Sequence, residues 1–170
     1  MHAPNAKEKV EGNDPFVQII HQDQKGDYWI GTTGKGINYF NTTTNTFKNY
    51  DFNLVNPEVL QSIYEDRQGN IWIGGVMGAG LFKTDPLERK YNLNTNFINV
   101  EAAYESVLNP GILWIESLQQ GLGKLNLKTN EITKYIHDKD NSKSIGHNWV
   151  RYIYQENKTT LWLGLGVGGS

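Results

Sequence analysis

Apolar and polar positions alternate in short bursts along this chain, and glycine, asparagine and aspartate fill the gaps. The clearest burst is Val59-Leu60-Gln61-Ser62-Ile63-Tyr64-Glu65-Asp66, followed by Arg67-Gln68-Gly69-Asn70 and then Ile71-Trp72-Ile73-Gly74-Gly75. Alternation over so few residues predicts strands, and the Gly-centred gaps predict hairpin turns. No comparable stretch carries a helical period. Four of the bursts hold a tryptophan: Tyr28-Trp29-Ile30-Gly31, Ile71-Trp72-Ile73-Gly74, Leu113-Trp114-Ile115-Glu116 and Leu161-Trp162-Leu163-Gly164. Trp29, Trp72, Trp114 and Trp162 lie 43, 42 and 48 residues apart. A period in the forties predicts an array of small supersecondary units.

Aligned on tryptophan, the units share one order of elements. In the first, Val17 to Asp23 is a strand, Gln24-Lys25-Gly26-Asp27 a turn and Tyr28 to Thr32 a second strand. Gly34-Lys35-Gly36 then leads into Ile37-Asn38-Tyr39-Phe40, and Asn41 to Asn45 into Thr46 to Tyr50. The second unit adds a turn at Met77 to Gly80, a strand from Leu81 to Asp85 and a fourth near Lys90 to Leu93. The third gives Leu113 to Leu118, Leu122 to Leu127 and Ile132 to Ile136; the fourth gives Val150 to Glu156 and Leu161 to Leu165. Tandem four-stranded antiparallel meanders of this length are the sequence form of propeller blades. The expected fold is an all-β propeller, an incomplete open arc of about three and a half blades. After a polar lead at 1–13, the partial propeller occupies 14–170. Its blades fall at about 14–53, 57–95 and 98–138, with half a blade at 147–170.

Radial packing explains the tryptophans. Each ring is expected to fill the space between neighbouring sheets, hiding roughly 150–250 Å². That is worth an upper-bound ~4–6 kcal/mol before entropy. Gly31, Gly74 and Gly164 follow the rings as part of the same repeat. Asp23 and Asp66, ending the first strands, are expected to accept hydrogen bonds from turn N–H groups. The third unit departs, with Leu108 where aspartate is expected and Glu116 in place of glycine.

Composition narrows the chemistry. The formal net charge is −2 and no basic run occurs, so the sequence carries no electrostatic footprint for nucleic acid. Cysteine is absent, which removes disulfides, thiolate catalysis and Cys-ligated zinc. No apolar stretch reaches membrane-spanning length, and residues 1–14 lack the apolar core of a signal peptide.

These units resemble the two-component-regulator propeller repeat of the sensor region of Bacteroidetes hybrid two-component systems. The residues that carry the resemblance are Ile63-Tyr64-Glu65-Asp66, Gly69-Asn70-Ile71-Trp72-Ile73-Gly74 and Gly80-Leu81-Phe82. Trp29-Ile30-Gly31-Thr32 and Gly36 to Asn41 carry it too, with the lead Asn141 to Val150. The resemblance implies a periplasmic, non-catalytic ligand-binding segment of a transmembrane signalling receptor, with glycan-derived ligands. It also implies seven-bladed rings, so that the remaining blades of a longer chain, and a second receptor copy, are expected partners. Any kinase activity would reside elsewhere. Two other readings stay open: an enzyme of streptogramin-lyase-like type, and a protein-interaction scaffold.

No catalytic, metal or cofactor site is expected. His2, His21, His137 and His147 lie in different units at no metal-ligand spacing, and Glu65 and Asp66 face opposite ways on a strand. A ligand is expected at the loops joining second to third and fourth to first strands. There lie Thr33, Lys35, Met77, Asn96, Gln119, Gln120, His147, Asn148 and Trp149. Lys35 suits a carboxylate or sulfate, Gln119 and Gln120 suit hydroxyls, and Trp149, which breaks the period, suits stacking.

Overall fold

The computed structural model describes residues 16–33, 36–50, 59–76, 80–84 and 91–166, with the side chains of 59, 76 and 91–96 excepted. Every regular element among them is a β-strand. Blade 1 comprises β1 (Val17–Gln22), β2 (Tyr28–Thr32), β3 (Ile37–Asn41) and β4 (Thr46–Tyr50). Blade 2 comprises β5 (Val59–Glu65), β6 (Ile71–Val76), β7 (Gly80–Thr84) and β8 (Tyr91–Ile98). Blade 3 comprises β9 (Val100–Glu105), β10 (Ile112–Ser117), β11 (Leu122–Asn126) and β12 (Ile132–Tyr135). Blade 4 has β13 (Val150–Gln155) and β14 (Leu161–Leu165). Each sheet is an antiparallel meander in chain order. The expected all-β propeller arc of three four-stranded blades and a two-stranded one is what forms.

The repeat decides the packing through strand alternation. Each tryptophan faces the next blade, and the apolar residues on either side of it face the preceding one. Trp29 shares a core cluster with Leu60, Ile63, Ile71, Ile73 and Phe82 of blade 2. Trp72 shares one with Val100, Ala103, Leu113, Ile115 and Leu125 of blade 3. Trp114 packs with Val150, Ile153, Leu161 and Leu163 of blade 4. These three rings are 2–7% exposed. Trp162, with no following blade among the described residues, is 61% exposed. At the other end Val17 is 57% exposed, although Leu60, Val100 and Val150 at the same register are fully buried.

Turns form where their chemistry requires. Gly26 and Gly69 sit at φ +85° and +81°, three residues after Asp23 and Asp66. Asn45 and Asn130 take the left-handed position of the outer hairpins, a conformation asparagine tolerates. Two features differ from the sequence reading. The fourth strand of blade 2 runs on to Ile98, so Asn96 lies within β8 and not on a loop. The inner strand of blade 3, β9, starts after a single left-handed residue, Asn99. A one-residue reversal leaves almost no polar gap to mark where this inner strand begins.

Candidate functional site

Two rows of carboxylates repeat around the arc, and they do different work. The first caps. Asp66 is fully buried and accepts from Gln68 N, Asn70 N, the Asn70 side chain and, at 2.8 Å, Trp72 Nε1. Asp23 does the same for Lys25 N, Asp27 N and Trp29 Nε1. Glu156 accepts from Trp162 Nε1. In blade 3 the residue at this register is Ser106, not Leu108: Ser106 N bonds Ile112 O, as Asp66 N bonds Asn70 O. That turn is two residues longer, which shifted the count from the sequence. A hydroxyl replaces the carboxylate, and the buried Trp114 Nε1 has no partner among the described residues.

The second row clamps blade to blade. Glu65 accepts from Gln24 N in blade 1 at 2.8 Å. Glu105 accepts from Arg67 N at 3.0 Å and Arg67 Nη1 at 3.1 Å in blade 2, and from Gly111 N in its own. Gln155 meets the Ser106 hydroxyl in the same way. Adjacent acids thus act on different blades, as opposite-facing strand positions must.

The inner strands carry the feature with chemical potential. β1, β5, β9 and β13 lie nearest the arc's axis, each packed against its neighbour's inner or second strand. Each bears a β-bulge at one place: between Val17 and Ile19, Leu60 and Ser62, Val100 and Ala102, Val150 and Tyr152. The bulged residues are therefore Gln18, Gln61, Glu101 and Arg151. A bulge leaves its extra residue unpaired and re-aims the side chain. Gln18 donates to Thr33 Oγ1 at 2.8 Å. Glu101 accepts from Trp149 Nε1 at 3.4 Å, and the Arg151 guanidinium lies 5.2 Å over the Trp149 ring.

Beside the Glu101 bulge stands Glu116. Its counterparts Gly31 and Gly74 have no room for a side chain. A Cβ at Gly31 would lie 2.7 Å from Ile19 Cγ2, and one at Gly74 would meet Ser62 Oγ and lie 2.7 Å from Val100 Cγ1. Blade 3 makes room by pairing Glu116 with Ala102 instead of Ile19 or Ser62. Glu116 is 6% exposed, and no described residue donates to its carboxylate or pairs with it. Burial, and then the charge of Glu101, push its carboxyl up to about 7. Burial, and then Glu116, raise the Tyr104 hydroxyl as well; that hydroxyl donates to Ile153 O at 3.2 Å.

The loop residues expected to bind ligand are largely engaged in bracing. Gln120 Oε1 accepts from Ile98 N, and Gln119 Oε1 from the Asn99 amide. Both side chains therefore brace the β8–β9 reversal. Asn148 joins two loops: its Oδ1 accepts from His137 N at 2.6 Å and its O from Gly121 N at 2.9 Å. His147 Nδ1 accepts from Trp149 N. Trp149 is packed against Gly166, which has no room for a Cβ beside the indole, and carries Arg151 over its ring. Lys35 and Met77 lie outside the described residues, as does the Asn96 side chain. The sequence reading missed Glu101 and Arg151. Their signal was a polar residue directly after Val100 and Val150, as Gln61 follows Leu60.

Comparison with known proteins fits this geometry. Residues 53–76, which hold β5, its cap Asp66 and Trp72, match the two component regulator propeller family. No curated protein matches the chain by sequence. Among solved structures, the extracellular domain of a hybrid two component system from B. thetaiotaomicron superposes over 88% of this chain and 19% of its own. The TM-score is 0.68 and the identity 25%. A second such extracellular domain from the same organism gives 0.62 at 23% identity, over 88% of this chain and 21% of its own. Virginiamycin B lyase from Staphylococcus aureus gives 0.65 at 16% identity, over 91% and 50%. The chain thus spans about a fifth of the extracellular domains it resembles.

Proposed function

We propose that this two-component-regulator propeller segment belongs to a periplasmic, non-catalytic sensor of a hybrid two-component receptor, and that its ligands derive from glycans. One observation carries the reading. The repeat that matches the regulator family sits in register with the tryptophan, cap and clamp of its neighbours, inside an arc that follows an extracellular sensor domain at 25% identity. Polar residues at the bulges of the inner strands, on a rigid scaffold, suit recognition of a hydroxyl-rich ligand. A propeller enzyme remains the second reading. It rests on virginiamycin B lyase, whose 16% identity carries the fold and no catalytic residue.

Calorimetry on the complete extracellular region, with a panel of oligosaccharides, tests the proposal. Saturable binding without change in the sugar supports it. Turnover of a ligand, abolished by a chelator, overturns it in favour of the enzyme.

A further inference from the structure

Glu116 is an acid in a place built for glycine, and blade 3 has been refitted around it. Ala102 opposite gives the side chain its volume, and Leu122 pairs with it on the other flank. Val150 of blade 4 holds the register at which Leu60 and Val100 close over Gly31 and Gly74. The side chain so enclosed has no donor from the described residues, and its carboxylate oxygens keep an edge that solvent reaches. Its acidic neighbour is Glu101, the bulged residue of β9. The nearby cation, Arg151, is held over Trp149 and makes no ion pair with either acid. A buried, unpartnered carboxylate is costly unless something pairs with it.

We propose that Glu116 and Glu101 bind the ammonium group of an amine-bearing ligand entering from the inner edge of the blade 3–blade 4 interface. An ammonium offers three N–H donors, where Glu116 has none and Glu101 accepts one long bond from Trp149 Nε1 at 3.4 Å. A divalent cation fits less well. Calcium takes six to eight oxygens, and the described residues bring no third His, Asp or Glu to these two. The proposal rests on the sensor reading and narrows it: the glycan fragment carries a free amino group.

The test is calorimetry on the full chain with glucosamine, N-acetylglucosamine and glucose, repeated on Glu116→Gln and Glu101→Gln. Glucosamine is expected to bind on the order of tenfold tighter than either neutral sugar, with each substitution removing that preference. Circular dichroism melting of the variants separates lost binding from lost fold. Equal binding of the three sugars overturns the amine site and leaves the sensor reading standing. An unchanged preference in Glu116→Gln overturns it, as does calcium binding that displaces glucosamine. Absence of any glucosamine heat also overturns it; Glu116 then holds only a proton.

Discussion

Trp72 donates its indole N–H to the buried Asp66 carboxylate at 2.8 Å, and Trp114, the equivalent ring one blade on, donates to nothing among the described residues. The two rings bury similar area but differ in this bond. Trp72→Phe strips a donor from Asp66 and is expected to cost about 2–3 kcal/mol. Trp114→Phe discards an N–H that had no partner and is expected to cost about 1 kcal/mol or less. Urea unfolding of the two variants checks the difference, and equal losses would refute the cap.

The clamps rank by how many donors they serve. Glu105 holds two groups of Arg67 and one of Gly111, and its side chain is 1% exposed. Glu105→Ala is expected to destabilise by about 2 kcal/mol, since it leaves three partly buried N–H groups without their acceptor. Glu65, with Gln24 N as its hydrogen-bonded donor, is expected to lose about 1 kcal/mol in the same substitution. Thermal melting decides the order.

Close approach at the inner glycines sets a third contrast. Gly74→Ala brings a methyl group against Ser62 and Val100, and is expected to cost about 2–3 kcal/mol. Gly164→Ala meets Tyr152 Cβ at 3.1 Å on an exposed face, where the ring can shift, and is expected to cost under about 1 kcal/mol. A denaturant series on both variants tells them apart.

Glu116 makes stability depend on pH in an uncommon direction. Its carboxyl titrates at about 7 when folded, against 4.5 ordinarily. Between those values the folded chain holds the extra proton, so this group's contribution is present below about 4.5 and lost as pH rises through 7. The full span is roughly 3 kcal/mol. The titratable groups that act on it or feel it are Glu101 and Tyr104. Glu116→Gln removes the term, so the stability difference between variant and parent is expected to widen from pH 5 to pH 8. A constant difference would show Glu116 ionised throughout.

The tryptophan period and the Asp-Gly turns were legible because each repeats at fixed spacing and answers to one local geometry. Trp29, Trp72, Trp114, Asp23 and Asp66 follow from that. The clamps were not legible: Glu65 beside a capping Asp66 reads as a surface charge, and its partner Gln24 lies 41 residues away. Nor were the bulges, since a one-residue slip in pairing leaves composition untouched. Glu116 was visible as a departure from glycine. Its burial was not, because that depends on Ala102 across the strand and Val150 in another blade. The loop candidates Gln119 and Gln120 read as free for the opposite reason: their acceptors serve Ile98 and Asn99, whose reversal the sequence does not announce.

The bulge at each inner strand separates two evolutionary tasks. Leu60, Val100 and Val150 are bound to the packing, each fully buried against a neighbouring blade. Gln18, Gln61, Glu101 and Arg151 are not, and they already include two amides, an acid and a base. Each blade thus offers one position where a side chain can change at little cost to folding. Duplicating a blade duplicates that freedom, so an array of such units can vary its inner strands one letter at a time.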